Sequence, residues 1–327
     1  MRVLLTGANG FVGSHILDRL RTDDLPAVLL LRPRADTRFI AAHLPRVEVR
    51  RGGLDDVPTL RAALAGVTHV IHCAGATKGL RRGDLFQTNQ IGTRNLIQAV
   101  NDAGEQVQRV VYLSSLAAGR PGTRASPARE AEASAPVSAY GQSKRAGELE
   151  VTGGCRREFS ILRPAGVYGP RDREFFRLFK AAVRGITPAF GGGRQELSLV
   201  FAPDLGEAVV RALSAPAAAG QTLNVACADV VTAGELALAI AATLRKRTFR
   251  LRLPSVVLSL FCLAAGAWAT LTGHPTLLAH GKHRELTAPG WVGDTARLQA
   301  VLGPVCRTRL KDGLDATLGW YRENGWI

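Results

Sequence analysis

Cysteine is scarce in this chain and scattered, for Cys73, Cys155, Cys227, Cys262 and Cys306 form no C-x-x-C pair. An odd and dispersed set predicts neither a disulfide framework nor a zinc site, and the five read as reduced filler. The histidines, His69 and His72 among them, lack metal-ligand spacing, so no metal is expected and core or surface roles are favoured. Lysine is also rare. Only six of the 42 basic residues are lysine, so the net charge of +15 is an arginine excess, spread along the chain with one dense run at Arg245-Lys246-Arg247. No helix-turn-helix, aromatic RNA platform or basic arm accompanies it, which argues against nucleic acid and leaves a basic surface suited to anionic cofactors or lipids. No internal repeat or low-complexity segment is visible. The first strand is expected to begin at residue 2, leaving no room for a secretory signal ahead of it, so a cytoplasmic protein is expected.

What is present is a globular composition, 46% hydrophobic over 327 residues, enough for one large α/β unit or two lobes. The chain is organised around Val3-Leu4-Leu5-Thr6-Gly7-Ala8-Asn9-Gly10-Phe11-Val12-Gly13, which reads as strand, tight turn and helix. In such a turn Gly7 takes a backbone conformation denied to residues with a Cβ, Gly10 lets a pyrophosphate approach the main chain, and Gly13 lets helix and strand pack closely. The free N–H groups of the helix's first turn face the phosphates.

The strand and helix rhythm continues. Strands are expected at Ala27–Leu31, Val47–Arg50, Thr68–His72, Arg109–Leu113 and Phe159–Leu162, with helices at Val57–Leu64, near Asp84 to Ala103, and from about Ser138 to Val151. This alternation predicts an α/β fold with a doubly wound parallel sheet that binds ligands beyond the carboxyl ends of its strands. The rhythm changes after Arg163. A dinucleotide-binding domain of residues 1–165 plus about 198–227 is expected, with a smaller, discontinuous C-terminal substrate lobe from about 166–197 and 228–327.

Tyr140-Gly141-Gln142-Ser143-Lys144 opens a helix, so phenol and ammonium lie four residues apart on one face. A tyrosine is a poor base at neutral pH, but a nearby cation favours its phenolate. Ser114 and Ser115 close the Arg109–Leu113 strand, where a hydroxyl can hold a carbonyl oxygen.

Together these features resemble the extended short-chain dehydrogenase/reductase superfamily, which includes the NAD-dependent epimerases and dehydratases. The resemblance covers nearly the whole chain. It rests on Thr6-Gly7-x-x-Gly10-x-x-Gly13, Asn89-x-x-Gly92-Thr93-x-Asn95-Leu96, Leu113-Ser114-Ser115, Tyr140-x-x-x-Lys144, Arg163-Pro164-x-x-Val167-Tyr168-Gly169-Pro170 and the ending Trp320-Tyr321-Arg322-Glu323-Asn324-Gly325-Trp326. It implies a Rossmann-type sheet, with Tyr140 as catalytic acid/base, Lys144 tuning it and reaching the cofactor ribose, and Ser115, preferred to Ser114, meeting the substrate oxygen. Phe11 and Val12 would contact pyrophosphate through their backbones. Ala74 and Gly75 would line the cofactor groove, Pro164 and Val167 would flank the nicotinamide, and Asn89 would be structural. A homodimer is the assembly the resemblance implies.

Cofactor choice depends on the end of the second strand, where a carboxylate suits NAD and an arginine suits the 2′-phosphate of NADP. Here stand Arg32 and Arg34, with no carboxylate before Asp36, so NADP is expected over NAD. One departure lies near the adenine. The family's usual Gly-Asp-Leu is Gly52-Gly53-Leu54, leaving Leu54 packing and backbone contacts, or a shifted Asp55.

Members that act on nucleotide sugars commonly carry an asparagine after the sixth strand, where this chain has Ala165 and Gly166. With the charge-free run from Leu253 to Gly273, this looks nearer the branch of 3β-hydroxysteroid dehydrogenases and dihydroflavonol reductases. On a helical projection Ser255, Ser259, Cys262, Gly266, Thr270 and Gly273 form a small-residue stripe, with Val257, Leu260, Phe261, Ala264, Trp268 and Leu271 largely opposite. A lobe helix is favoured for this run over peripheral membrane contact, and that over a full span. The expected function is an NADP-dependent oxidoreductase of a hydrophobic or amphipathic carbonyl or secondary alcohol, steroid- or flavonol-like in class. The alternatives are a nucleotide-sugar epimerase or dehydratase with tightly held NAD and a non-catalytic cofactor-binding sensor.

Overall fold

The computed structural model describes residues 1–253, 255–274, 276 and 281–327. In chain order its first half runs β1 (Val3–Thr6), α1 (Phe11–Thr22), β2 (Ala27–Leu31), β3 (Glu48–Arg51), α2 (Val57–Ala63), β4 (His69–His72), α3 (Arg82–Phe86), α4 (Gly92–Asp102), β5 (Arg109–Leu113), α5 (Ala139–Gly154) and β6 (Glu158–Pro164). There follow β7 (Gly166–Tyr168), α6 (Arg173–Val183), β8 (Ile186–Phe190), β9 (Glu196–Phe201), α7 (Ala202–Ser214) and β10 (Thr222–Val225). The chain closes with β11 (Val230–Thr232), α8 (Ala233–Thr243), β12 (Phe249–Leu253), α9 (Ser255–Thr272), α10 (Lys282–Thr287), β13 (Gly290–Trp291), α11 (Ala296–Leu302) and α12 (Leu310–Glu323).

Seven strands form one parallel sheet in the order β10-β6-β5-β4-β1-β2-β3. Strand side chains alternate faces. Val3, Leu5, Leu29, Leu31 and Ile71 therefore join α1 and α7 in one buried cluster, while Leu4, Val28, Leu30 and Val70 join α2, α4 and α5 in the other. Strands covered on both faces read as continuous apolar runs, which is why Ala27–Leu31 is legible as a strand without alternation. The chain order reverses between β1 and β4, the switch point beyond whose carboxyl ends sheets of this kind bind ligands.

The remaining strands build a smaller sheet, β11-β9-β13 with β7 beside β9, and a pair, β12-β8. Tyr168, Phe179, Phe201, Leu236, Leu314 and Tyr321 form its core. The aromatic ending closes it, with the Tyr321 and Trp326 rings stacked at 5.4 Å and the Tyr321 hydroxyl donating to the Asp172 carbonyl at 2.7 Å. All of β9 belongs to this smaller sheet, so the boundary expected near residue 198 falls inside a strand.

Most elements lie where the sequence puts them, with one informative difference. The helix expected from Asp84 to Ala103 is α3 and α4 joined by a π-helical turn over Gln87–Ile91. Such single turns recur at functional sites. α9 forms as a helix with Cys262 and Ala269 turned inward, while Leu260, Phe261, Trp268 and Leu271 are exposed. Among the described residues no helix is long and apolar enough to cross a membrane.

The packing of α5 on the sheet depends on a missing side chain. A Cβ on Gly147 would collide with the Tyr112 hydroxyl and the Asn89 carbonyl. The substitution Gly147→Ala is expected to cost about 1–3 kcal/mol through overpacking, read as a lower denaturant midpoint. Unchanged stability would mean that α5 can move away from β5 freely.

Candidate active site

The turn after β1 is shaped by close approach. Gly7 has φ +73°, and a Cβ there would come within 2.6 Å of the Ala74 nitrogen, while a Cβ on Gly13 would strike the Gly7 carbonyl. Only glycine permits the first and only glycine leaves room for the second. Gly10 is the N-cap of α1 and supplies no side-chain cap, so the first turn, with Phe11 and Val12, presents main chain at the sheet's switch point. Ala74 stands directly against Gly7, its N–H donating to the Thr6 hydroxyl at 3.1 Å, and Gly75 is exposed beside it.

The Asn89-to-Leu96 motif braces the loops beside this turn. The Asn89 amide accepts from the Ala76 N–H at 2.8 Å and donates to the Ala76 carbonyl and the Ser143 hydroxyl, both at 2.9 Å. It is the structural role expected of it. Gly92 leaves room for Leu54, where a Cβ would meet the Leu54 side chain at 2.9 Å, and Asn95 donates to the Leu54 carbonyl at 2.8 Å. Thr93 meets one ring nitrogen of His72 at 3.0 Å, and Thr6 meets the other at 2.8 Å. Burial pushes that imidazole down to about 3, so it stays neutral and joins strand to helix. Asp55 folds its carboxylate over Gly53, into the space a side chain there would occupy.

Ser115, Tyr140 and Lys144 are brought to the carboxyl end of β5. Lys144 is buried and donates from Nζ to the Leu113 carbonyl at 2.6 Å, with the ammonium 4.4 Å from the centre of the Tyr112 ring. Its pKa is lowered by burial, against the pull of Tyr140, Cys73 and Glu148. Tyr140 is half-buried in the first turn of α5, below the Ser138 N-cap. Burial raises its pKa above the ordinary phenol value, while Lys144 and the Ser115 hydroxyl pull the other way. Lys144 thus acts in the expected direction, but desolvation outweighs it and the resting group is a phenol.

The two serines separate cleanly. Ser115 caps a short 3-10 turn, its oxygen accepting from the Ala117 N–H at 3.2 Å, and stays half-buried. Ser114 is buried and donates to Glu148 at 2.6 Å. Pro164 ends β6 in the interior, Val167 is half-buried in β7, and Arg32 is exposed just beyond β2. Among the described residues no side chain engages the Arg32 guanidinium, whereas Asp36, the next carboxylate along the sequence, is taken by Arg38 through bonds from its backbone N–H and Nε, both at 3.1 Å. The hydrogen bonds to Arg38 also hold Asp36 below the ordinary carboxylate value. No cluster of metal-ligating residues occurs among those described, and the five cysteines are free.

Sequence reasoning missed the support beneath this site. Glu148 is buried and receives Arg163 at two oxygens, both at 2.7 Å, together with Ser114 and, at 2.9 Å, Arg145. The signal was available, since Glu148 repeats the four-residue step from Tyr140 to Lys144 and Arg163 opens a motif already noted.

The pattern of the NAD dependent epimerase/dehydratase family matches residues 3–226. The chain belongs to that family. It is 29% identical over 330 residues to the ceramide reductase of Caulobacter vibrioides, covering 99% of this chain and 96% of that protein. Over 61% of this chain it is 30% identical to the bovine (Bos taurus) sterol-4-alpha-carboxylate 3-dehydrogenase, decarboxylating, covering 56% of that protein. Among solved structures it is similar to MoeE5 in complex with UDP-glucuronic acid and NAD, at 26% identity and a TM-score of 0.77, covering 99% of this chain and all of that one. An NAD(P)-dependent enzyme of the extended short-chain dehydrogenase/reductase type, with a Rossmann-like α/β fold, is what these findings show.

Burial alone would raise the pKa of Glu148, but the hydrogen bonds and charge of Arg163 bring it below its ordinary 4.5. Its contribution to stability is therefore complete above that value and lost as pH falls through the folded pKa. Glu148→Ala, which leaves Arg163 buried and unpaired, is expected to cost about 3–5 kcal/mol in urea unfolding at neutral pH. Glu148→Gln should flatten the stability loss in acid, and an unchanged acid limb would remove Glu148 as its source.

Proposed function

We propose that this enzyme is an NADP-dependent oxidoreductase that moves a hydride between nicotinamide and a carbonyl or secondary alcohol of a hydrophobic or amphipathic molecule. The observation that carries the reading is the meeting of Ser115, Tyr140 and Lys144 at the end of β5, with Tyr140 kept as a protonated phenol. When bound, the nicotinamide supplies the hydride at C4. Tyr140 Oη gives its proton to the carbonyl oxygen, Ser115 Oγ holds that oxygen, and Lys144 stabilises the phenolate left behind. In the reverse direction the same groups take the proton from an alcohol.

The residues present fit the cofactor. The Gly7–Gly13 turn with the N–H groups of Phe11 and Val12 would hold pyrophosphate, and Leu54, Ala74 and Gly75 would line the groove. Lys144 would reach the ribose, Pro164 and Val167 would flank the nicotinamide, and Arg32 would take a 2′-phosphate. The exposed Arg32 and the occupied Asp36 support NADP. Similarity to a ceramide reductase along nearly the full length supports an amphipathic substrate, as do Ala165 and Gly166 where a sugar-reading asparagine is usual. We also propose that the smaller sheet and its helices form the substrate lobe, and that the chain works as a homodimer. The likeness to MoeE5, whose structure holds NAD and a nucleotide sugar, favours the second reading, an epimerase or dehydratase that retains its cofactor.

Fluorescence titration with NADPH and NADH separates the two. Tighter NADPH binding that collapses toward the NADH value in Arg32→Ala is expected; cofactor that co-purifies and resists exchange would bring the epimerase reading forward. Tyr140→Phe should lower turnover by about 10²–10⁴-fold and leave cofactor binding intact. In the reduction direction activity should fall as pH rises through the Tyr140 pKa. Lys144→Met should move that limb to higher pH, because the cation favouring the phenolate is gone. A limb that stays in place would exclude Lys144 as the tuning group.

A further inference from the structure

α9 leaves its largest side chains in solvent. Val256, Leu260, Phe261, Leu263, Trp268 and Leu271 are between 60% and 83% exposed, on a helix without a charged residue. Exposed apolar side chains also stand on β12, which precedes α9 in the chain, and on its partner β8. Phe249 and Leu251 share one face of β12, Ile186 lies beside Phe249 in register on β8, and all three are exposed. An apolar area of this extent is not the scattered exposure of an ordinary surface and marks an interaction face.

Its charge surroundings say which. Between Glu235 and Glu285 every charged residue is lysine or arginine. Arg245, Lys246, Arg247 and Arg250 are exposed before and along β12, and Arg284 is exposed on α10, so cationic groups stand on the elements that precede and follow α9. Basic side chains bordering exposed Trp, Phe and Leu match a surface of anionic headgroups over acyl chains. A second copy of the chain would bring the same cations against one another.

We propose that α9 and the β8–β12 strip form a peripheral docking face for a bilayer containing anionic lipid, with α9 lying in the interface and not crossing it. The face adjoins the site. α9 packs on α10, whose Glu285 accepts from Ser138, the residue that caps α5 two positions before Tyr140. The proposal stands on this surface and not on the reading of Tyr140, so its test uses no turnover.

The full chain is floated with vesicles of phosphatidylcholine alone and of phosphatidylcholine mixed with phosphatidylglycerol, at low and high salt. Binding to the mixed vesicles that weakens with salt is expected, and Phe261→Ser combined with Trp268→Ser should reduce it about tenfold or more. NADPH titration of the same preparation checks that the variant is folded, and Phe249→Ser with Leu271→Ser probes the face independently. Absence of wild-type binding, or unchanged binding in both variant pairs, overturns the proposal. Equal binding to vesicles of phosphatidylcholine alone overturns its anionic part. Substitutions that turn a dimer into a monomer without vesicle binding assign the face to a second copy, which overturns it as well.

Discussion

The ion pair between Glu148 and Arg163 is the contact on which the site's geometry depends. It joins the third turn of α5 to the last residues of β6 in the interior, with Ser114 and Arg145 completing the carboxylate's hydrogen bonds. A buried carboxylate is costly unless every lone pair is met, so its geometry tolerates little freedom. Tyr140 and Lys144 lie two turns and one turn before Glu148 on the same helix face. Fixing the register of α5 at Glu148 therefore fixes how far both reach over the end of β5. Gly147, next in the chain, removes the side chain that would keep the helix from closing on Tyr112 and Asn89.

The same logic explains why the groove's far wall is built from a motif with little chemistry of its own. Asn89, Gly92, Thr93 and Asn95 each serve a different neighbour, namely the backbone after β4, the Leu54 side chain, His72 and the Leu54 carbonyl. The π-helical turn over Gln87–Ile91 shifts the phase of the helix between α3 and α4. Asn89 lies within that turn, and its amide bonds the loop while its carbonyl accepts from Thr93 at 2.7 Å.

Legibility in the sequence followed periodicity and backbone necessity. Strands buried on both faces appear as apolar runs, and Ala27–Leu31 and Arg109–Leu113 carry the same limits in both readings. The glycine turn is legible because Gly7 takes a positive φ and Gly13 leaves no room for a Cβ. Long-range pairings were not. Nothing local in Arg163 announces a partner on α5, and nothing in Gln87–Ile91 announces a π turn, because both are set by what packs against them. The choice of Ser115 over Ser114 rested on a family pattern, and the structure adds a physical difference, since Ser114 donates its hydrogen bond to a buried carboxylate while Ser115 stays near Tyr140.

Desolvation decides how the Tyr140–Lys144 pair behaves. Four residues of helix bring the cation close, and spacing alone suggests a phenol biased toward ionisation. Burial acts on both partners, lowering the pKa of the ammonium and raising that of the phenol, so each is moved toward its neutral form. Under the proposed function a protonated phenol suits delivery of a proton to a carbonyl oxygen, and the adjacent ammonium would then act on the phenolate that delivery leaves. The cation is held by the Leu113 carbonyl and the Tyr112 ring, neither of which carries a negative charge to cancel its field. Pairing it with a carboxylate would have steadied Lys144 equally well and removed the electrostatic reason for placing it four residues from Tyr140.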